Sequence, residues 1–178
     1  MGQVRRALRL SAVREWRRGD FAEDWANTRK AVLERDGFSC FYCGFSSPKF
    51  MHVHHLGGRW YNDSIFNLVT LCPFCHSCLH VGHAGKEEEG VLLVLTEEVD
   101  QASVNRKLLE GVRKKRDLSV FRKTRNSLPV EADFGSAGLI DLADMMLAGE
   151  ISPDGRFLFF PDPRKYDIVR YLIRESER

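Results

Sequence analysis

Four cysteines fall in two pairs, Cys40-Phe-Tyr-Cys43 and Cys72-Pro-Phe-Cys75, separated by a long insert. Each Cys-x-x-Cys turn aims two thiolates at one point, and two such turns complete a closed tetrahedral site with no open catalytic position. The pattern predicts one structural zinc ion, of a kind that contributes on the order of 10 kcal/mol to folding. Gly44, directly after the first pair, suits the tight turn. Cys78 lies three residues beyond Cys75 and near it on a helix. Buried packing is the plainer role for this fifth cysteine, and competition as a ligand the sharper one. The cysteine count is odd and all five fall between Cys40 and Cys78. A disulfide framework would spread them along the chain, so metal ligands in a reducing, cytoplasmic compartment are expected.

The insert holds His52, His54, His55, Asn62 and Asn67, and the segment after it holds His76 and His80. His76 and His80 are four apart and share a helix face. His76 is also one residue, about 100°, around the helix from Cys75, so imidazoles can face a second site while Cys75 faces the first. Two strands and a helix presenting histidines in this way have the layout of a metal nuclease core. The plainer reading is a set of packed, hydrogen-bonded histidines on an inherited scaffold.

The elements that must position these groups are legible in outline. Asp20 is a plausible N-cap for a helix through about Arg35, with Phe21, Trp25, Thr28 and Val32 at helical spacing and Gly37 at its end. Met51 to Leu56 reads as a strand, Gly57-Gly58 opens a loop to Asn67, and Leu68 to Leu71 reads as a second strand. Pro73 suits the first turn of a helix carrying Cys75 to His80. After an acidic, glycine-containing loop, Val91 to Leu95 looks like a strand. Thr96 is a candidate cap for a helix from about Glu97 to Lys115, followed by a helix over Asp117–Arg125. Ser127 to Ser136 reads as a linker. Leu139 to Leu147 is then amphipathic, Arg156 to Phe160 is a strand, and Asp162-Pro163 starts a last helix with Tyr166, Val169, Leu172 and Ile173 on its apolar face. Residues 3–10 alternate loosely enough for a short strand.

Composition bounds the class. The 178 residues are 43% hydrophobic and 29% charged, as in an ordinary globular protein. The longest apolar stretch, Val91 to Leu95, is strand-sized, far below the roughly 18 residues a membrane span requires. The arginine-rich start lacks the apolar core of a secretory signal. It suits a partner-binding arm or edge strand better than a transit peptide. The net charge of +2 hides segregation: Arg106 to Arg125 holds nine basic residues against Glu110 and Asp117. Such a stretch meets phosphates or an acidic partner, or is simply a solvated helix face.

The stretch His54-His55-Leu-Gly-Gly, then Asn67-Leu-Val-Thr-Leu-Cys72, then Cys75-His76 and His80, resembles the HNH endonuclease family over residues 36–80. The resemblance implies His55 as the general base that activates water and Asn67 as the residue holding the His55 loop. It also implies that His54 with His76 or His80 holds a catalytic divalent ion, Mg²⁺ or Mn²⁺. A phosphate contact from Arg59 would follow, and Lys114, Lys115 and Arg116 would be the nearest basic-stretch candidates for DNA.

A second resemblance reaches further. The segment Asn67 to Cys78, with its Cys-x-x-Cys-x-x-Cys triplet, is similar to the IcmJ/DotN family of type IVB secretion systems. So are Gly90 to Glu98, Phe157 to Pro161 with Arg164-Lys-Tyr166, Leu8 to Leu10 and Arg35-Asp36. That resemblance implies a zinc-stabilised, non-enzymatic adaptor on an HNH-like fold, at the inner-membrane face. It would bind the cytoplasmic tail of a DotL-like coupling ATPase beside other coupling proteins. The histidines at 54, 55, 76 and 80 depart from that family's pattern and keep an endonuclease reading open.

The expected fold is α+β: a treble-clef or ββα-metal zinc core with added helices and a small C-terminal lobe. The expected divisions are 1–35 (strand and helix), 36–127 (zinc core with basic extension) and 128–178 (C-terminal lobe). The adaptor reading is preferred, metal-dependent endonuclease is the alternative, and a non-catalytic nucleic-acid-binding module is the third.

Overall fold

The strand and helix signals resolve into two small antiparallel sheets in the computed structural model, which describes residues 7–12, 25–56 and 62–175. The strand expected over residues 3–10 falls partly outside those residues, and the expectations that rest on Asp20, Phe21, Gly57, Gly58 and Arg59 lie outside them. Within the described N-terminal stretch, Leu8 and Leu10 are buried in the core. Its backbone docks by Ser11 N–H to the Cys78 carbonyl at 2.9 Å and Val81 N–H to the Ser11 carbonyl at 3.2 Å.

Helix α1 runs Trp25–Arg35 and buries Val32 and Leu33. It ends as expected before Gly37, where the Phe38 N–H closes on the Leu33 carbonyl at 2.8 Å. The first sheet pairs β1 (His52–His55) with β2 (Leu68–Leu71), in register His52 to Leu71 and His55 to Leu68. Arg35 and Asp36 fasten α1 to this hairpin. Arg35 donates to the Leu68 carbonyl at 2.7 Å and to both Asp36 oxygens, while Asp36 Oδ2 accepts the Thr70 N–H at 2.9 Å. Burial pushes the Asp36 carboxyl up, but the hydrogen bonds from Arg35 and Thr70 outweigh it and hold the group below its ordinary range.

Helix α2 (Pro73–Leu79) starts as expected at Cys72, with Pro73 in the first turn. It stops one residue early. His80 leaves the helical region (φ −127°, ψ 48°) and the chain restarts as α3, Val81–Lys86. The acidic, glycine-containing stretch predicts a loop there, and Gly82 and Gly85 are poor helix formers. Their role is close packing against α6 (Ala137–Leu147). A Cβ on Gly85 would stand 2.9 Å from the Ser136 carbonyl oxygen and 2.8 Å from Ile140 Cγ1. Tertiary contact overrides the local preference.

The second sheet has β3 (Gly90–Leu95) at its centre, flanked by β4 (Val130–Asp133) and β5 (Phe157–Pro161), all antiparallel. β3 and β5 fall within a residue of their expected spans. β4 lies inside the expected linker; it is a mostly exposed edge strand without apolar alternation, so the pattern gave no signal. Helix α4 runs Gln101–Lys115, not from Glu97. Thr96 bonds the Pro129 carbonyl instead of capping, and Asp100 Oδ2 accepts the Ser103 N–H at 3.0 Å as the true N-cap. Helix α5 is Ser119–Asn126. The last helix is divided: a 3₁₀ turn at Pro163–Lys165 precedes α7, Asp167–Arg174.

Residues 128–175 do not pack apart from the centre. β4 and β5 flank β3, and one continuous hydrophobic core runs from Leu8 through Cys40 and Leu93 to Leu172. Among the described residues no helix is long and apolar enough to cross a membrane.

Candidate metal centre

The first cysteine pair sits on a knuckle turn. The Gly44 N–H bonds the Cys40 carbonyl at 2.9 Å, and Gly44 adopts φ +70°, a conformation only glycine takes without strain. The second pair opens α2, where Cys72 Sγ accepts the Cys75 N–H at 3.4 Å. The knuckle is brought against the helix start because Phe41 N–H bonds the Thr70 carbonyl at 2.8 Å. The four sulfurs of Cys40, Cys43, Cys72 and Cys75 are buried and lie within 4.8 Å of one another. Cys43 Sγ and Cys72 Sγ are 3.7 Å apart. Four thiolates at about 2.3 Å from one tetrahedral ion stand about 3.8 Å from each other. The cluster can therefore hold a metal ion such as zinc.

The electrostatics point the same way. Burial, then Cys40 and Cys43, pushes the Cys72 and Cys75 thiols well up. Cys40 goes the opposite way, because Cys43, Cys72 and Cys75 direct their hydrogen bonds to its sulfur. Buried thiolates need a compensating cation. Cys78 is also buried and its thiol is pushed up by burial, but it lies outside the four-sulfur group.

A second cluster forms where α2 meets β1. A ligand nitrogen each from His54, His76 and His80 falls within 4.8 Å of the others. His80 Nε2 and His54 Nδ1 are 3.3 Å apart, matching the roughly 3.0–3.4 Å between nitrogens bound about 2.1 Å from a shared ion. Although His80 ends α2 rather than continuing it, its ring centroid remains 4.7 Å from that of His76. His52 stacks on His76 at 4.6 Å. Burial lowers His54 to about 3, helped by His80, and lowers His76 well below the imidazole range. Both rings are neutral near pH 7, the form that binds metals. An open cleft of about 630 Å³ borders the cluster, lined among others by His52, His76, His80, His83 and Lys165.

His55 stands apart from this trio. Its ring stacks on Trp25 at 5.9 Å, and its Nε2 meets Asp63 Oδ1 at 2.7 Å. Asn67 Nδ2 donates to the Asn62 carbonyl at 2.8 Å, next to Asp63, so it braces the loop that carries the acid. No motif marks Asp63; its only signal in the sequence is an acid between the paired histidines and Asn67. Lys114 and Lys115 are exposed. Arg116 is spent internally, bonding the Leu172 carbonyl at 2.5 Å. Arg59 lies outside the described residues.

No family model matches the chain. Over 84 residues it is 31% identical to the type 4 apparatus protein DotN of Legionella pneumophila, covering 47% of this chain and 39% of DotN. Over 59 residues it is 32% identical to the Zorya protein ZorE of Escherichia coli, covering 32% of this chain and 16% of ZorE. The matches thus span less than half the length of either relative: over about half of its own length this chain is similar to DotN, and it carries a cluster of four cysteines that could hold a metal ion.

Proposed function

We propose that the protein is a zinc-stabilised adaptor subunit of a type IVB secretion or conjugation coupling complex. It is built on an HNH-like, treble-clef core and binds the tail of a DotL-like coupling ATPase at the inner-membrane face. The observation that carries this reading is the 31% identity to DotN over 84 residues. The β1–β2 hairpin leading into α2, with four convergent cysteines around it, supports the HNH-like core. Residues 36–127 form that core in this reading, and 128–178 are the addition a minimal nuclease does not need. Affinity capture from the native cell tests it: a coupling ATPase should co-purify, and recovery of no secretion component would overturn it.

One specific observation favours a second reading, a metal-dependent endonuclease acting on DNA. His54, His76 and His80 converge, with the rings of His54 and His76 neutral, and His55, the next residue along β1, meets an acid at its Nε2. In that reading the trio holds Mg²⁺ or Mn²⁺, which supplies charge stabilisation at the scissile phosphate. His55 takes the proton from the attacking water, and Asn67 keeps the loop in place. Nicking of plasmid DNA by the purified protein with either ion tests it.

A further inference from the structure

A continuous chain of amide hydrogen bonds runs from β5 to the sulfur cluster. The Phe159 N–H donates to Gln101 Oε1 at 2.8 Å, and Gln101 Nε2 donates back to the Phe159 carbonyl at 2.9 Å. The same nitrogen donates to Asn105 Oδ1 at 2.9 Å. Asn105 Nδ2 then lies 3.4 Å from Cys75 Sγ and 3.6 Å from Cys78 Sγ. Gln101 is 4% exposed and Asn105 0%, so no bulk water competes for these groups. They are one turn apart on α4, which is why the two amides meet.

The direction of the chain is not free. A backbone N–H only donates, so Gln101 must turn its oxygen to the Phe159 N–H and its NH₂ to the Phe159 carbonyl and Asn105. Asn105 must then give its oxygen to Gln101 and its NH₂ to the sulfurs. An amide NH₂ facing sulfur is stabilising only where the sulfur accepts, and a metal-held thiolate is the strongest acceptor a cysteine offers. Cys78 Sγ lies 3.1 Å from the Phe74 carbonyl, to which it donates as a thiol. The two sulfurs under Asn105 are therefore used differently.

The other end of the chain is equally specific. β5 is an edge strand of its sheet, yet Phe159 is fully buried. Its outward N–H and carbonyl would be orphaned there, and Gln101 supplies both partners in place of a further strand.

We infer that Asn105 is the outer positioning residue of the metal site, stabilising charge on Cys75, and that through Gln101 it couples metal occupancy to the seating of β5. The inference rests on the reading of the four cysteines as a metal centre. Losing the ion leaves Cys75 a poor acceptor, turns the Asn105 NH₂ toward sulfur without a match, and loosens the amide that holds Phe159.

Cobalt-loaded protein gives the test. Asn105→Leu keeps the branched shape and the number of heavy atoms and removes the donors. It should move the thiolate-to-cobalt charge-transfer band to lower energy and weaken metal binding by about 10–100-fold. Val104→Ala, buried on the same helix and outside the amide chain, should lower stability and leave the band in place. In the unmodified protein, partial chelation should accelerate amide exchange at Phe159 ahead of Ala143 in α6. This arm needs no variant to fold. A folded Asn105→Leu protein with an unmoved band and unchanged affinity overturns the inference, as does exchange at Phe159 that rises no sooner than at Ala143. A parent protein that takes up neither cobalt nor zinc overturns the metal reading and the coupling together; one that binds without coupling overturns the coupling alone.

Discussion

His55 Nε2 and Asp63 Oδ1 stand 2.7 Å apart, across a loop that Asn67 braces through the Asn62 carbonyl. A carboxylate in this position fixes which imidazole nitrogen carries the proton and leaves Nδ1 as the free one.

That pair makes the endonuclease reading sharply testable. With Mg²⁺ or Mn²⁺, His55→Ala should lower plasmid nicking by about 10²–10⁴-fold, the usual share of a general base. Asp63→Ala should cost a smaller factor, because it loosens the ring without removing it. Nicking that is insensitive to His55 would assign it to a contaminant. No nicking across divalent ions leaves the adaptor reading alone.

The cysteine cluster should carry one zinc per chain, measured by metal analysis of protein purified without added metal. Cys72→Ser should lose the ion and unfold the centre, since a closed zinc site contributes on the order of 10 kcal/mol. Cys78→Ser should keep the ion, because Cys78 lies outside the four converging sulfurs. A folded, metal-free Cys72→Ser protein would refute the assignment.

Acid should destabilise the protein through its histidines. His54 and His76 are held below the unfolded value of about 6.5, chiefly by burial. Between that value and the folded one the unfolded chain binds protons that the folded chain refuses. Stability is therefore complete above about pH 6.5 and falls with acidification, by up to about 1.4 kcal/mol per pH unit for each ring. Urea unfolding at pH 7 and pH 5 should show this. The His54→Asn, His76→Asn double variant should flatten the slope, and an unaltered slope would assign the acid sensitivity elsewhere.

Gly85→Ala should destabilise by about 1–3 kcal/mol, the usual cost of overpacking. The added Cβ meets the Ser136 backbone at 2.9 Å, which a rotamer change cannot relieve. Thermal unfolding measures it. A neutral result would mean that α3 and α6 slide apart freely.

Much of the centre could be read from residue order. Two Cys-x-x-Cys turns, the histidines between and after them, and Pro73 at a helix start are local signals, and each depends on neighbours a few residues away. The strand at 68–71 and the helix from Pro73 follow for the same reason. The same order led to error wherever distant contacts compete with local preference. Gly82 and Gly85 form a helix because α6 packs on them, and Val130–Asp133 joins a sheet because β3 offers an open edge. His80 leaves the helical region after α2, and its ring lies beside His54.

By itself, then, the sequence determined the ligand types, their pairing into two knuckles and the resemblance that pointed to an adaptor on a nuclease-like core. Spacing along the chain is enough to specify those. Tertiary structure alone decided that Asp63 meets His55 and that Asn105 turns its amide toward Cys75. It also decided that Gln101 joins Phe159 of β5 to Asn105. These contacts join residues 8, 30 and 58 positions apart, and no periodicity encodes which distant polar group a buried donor will find.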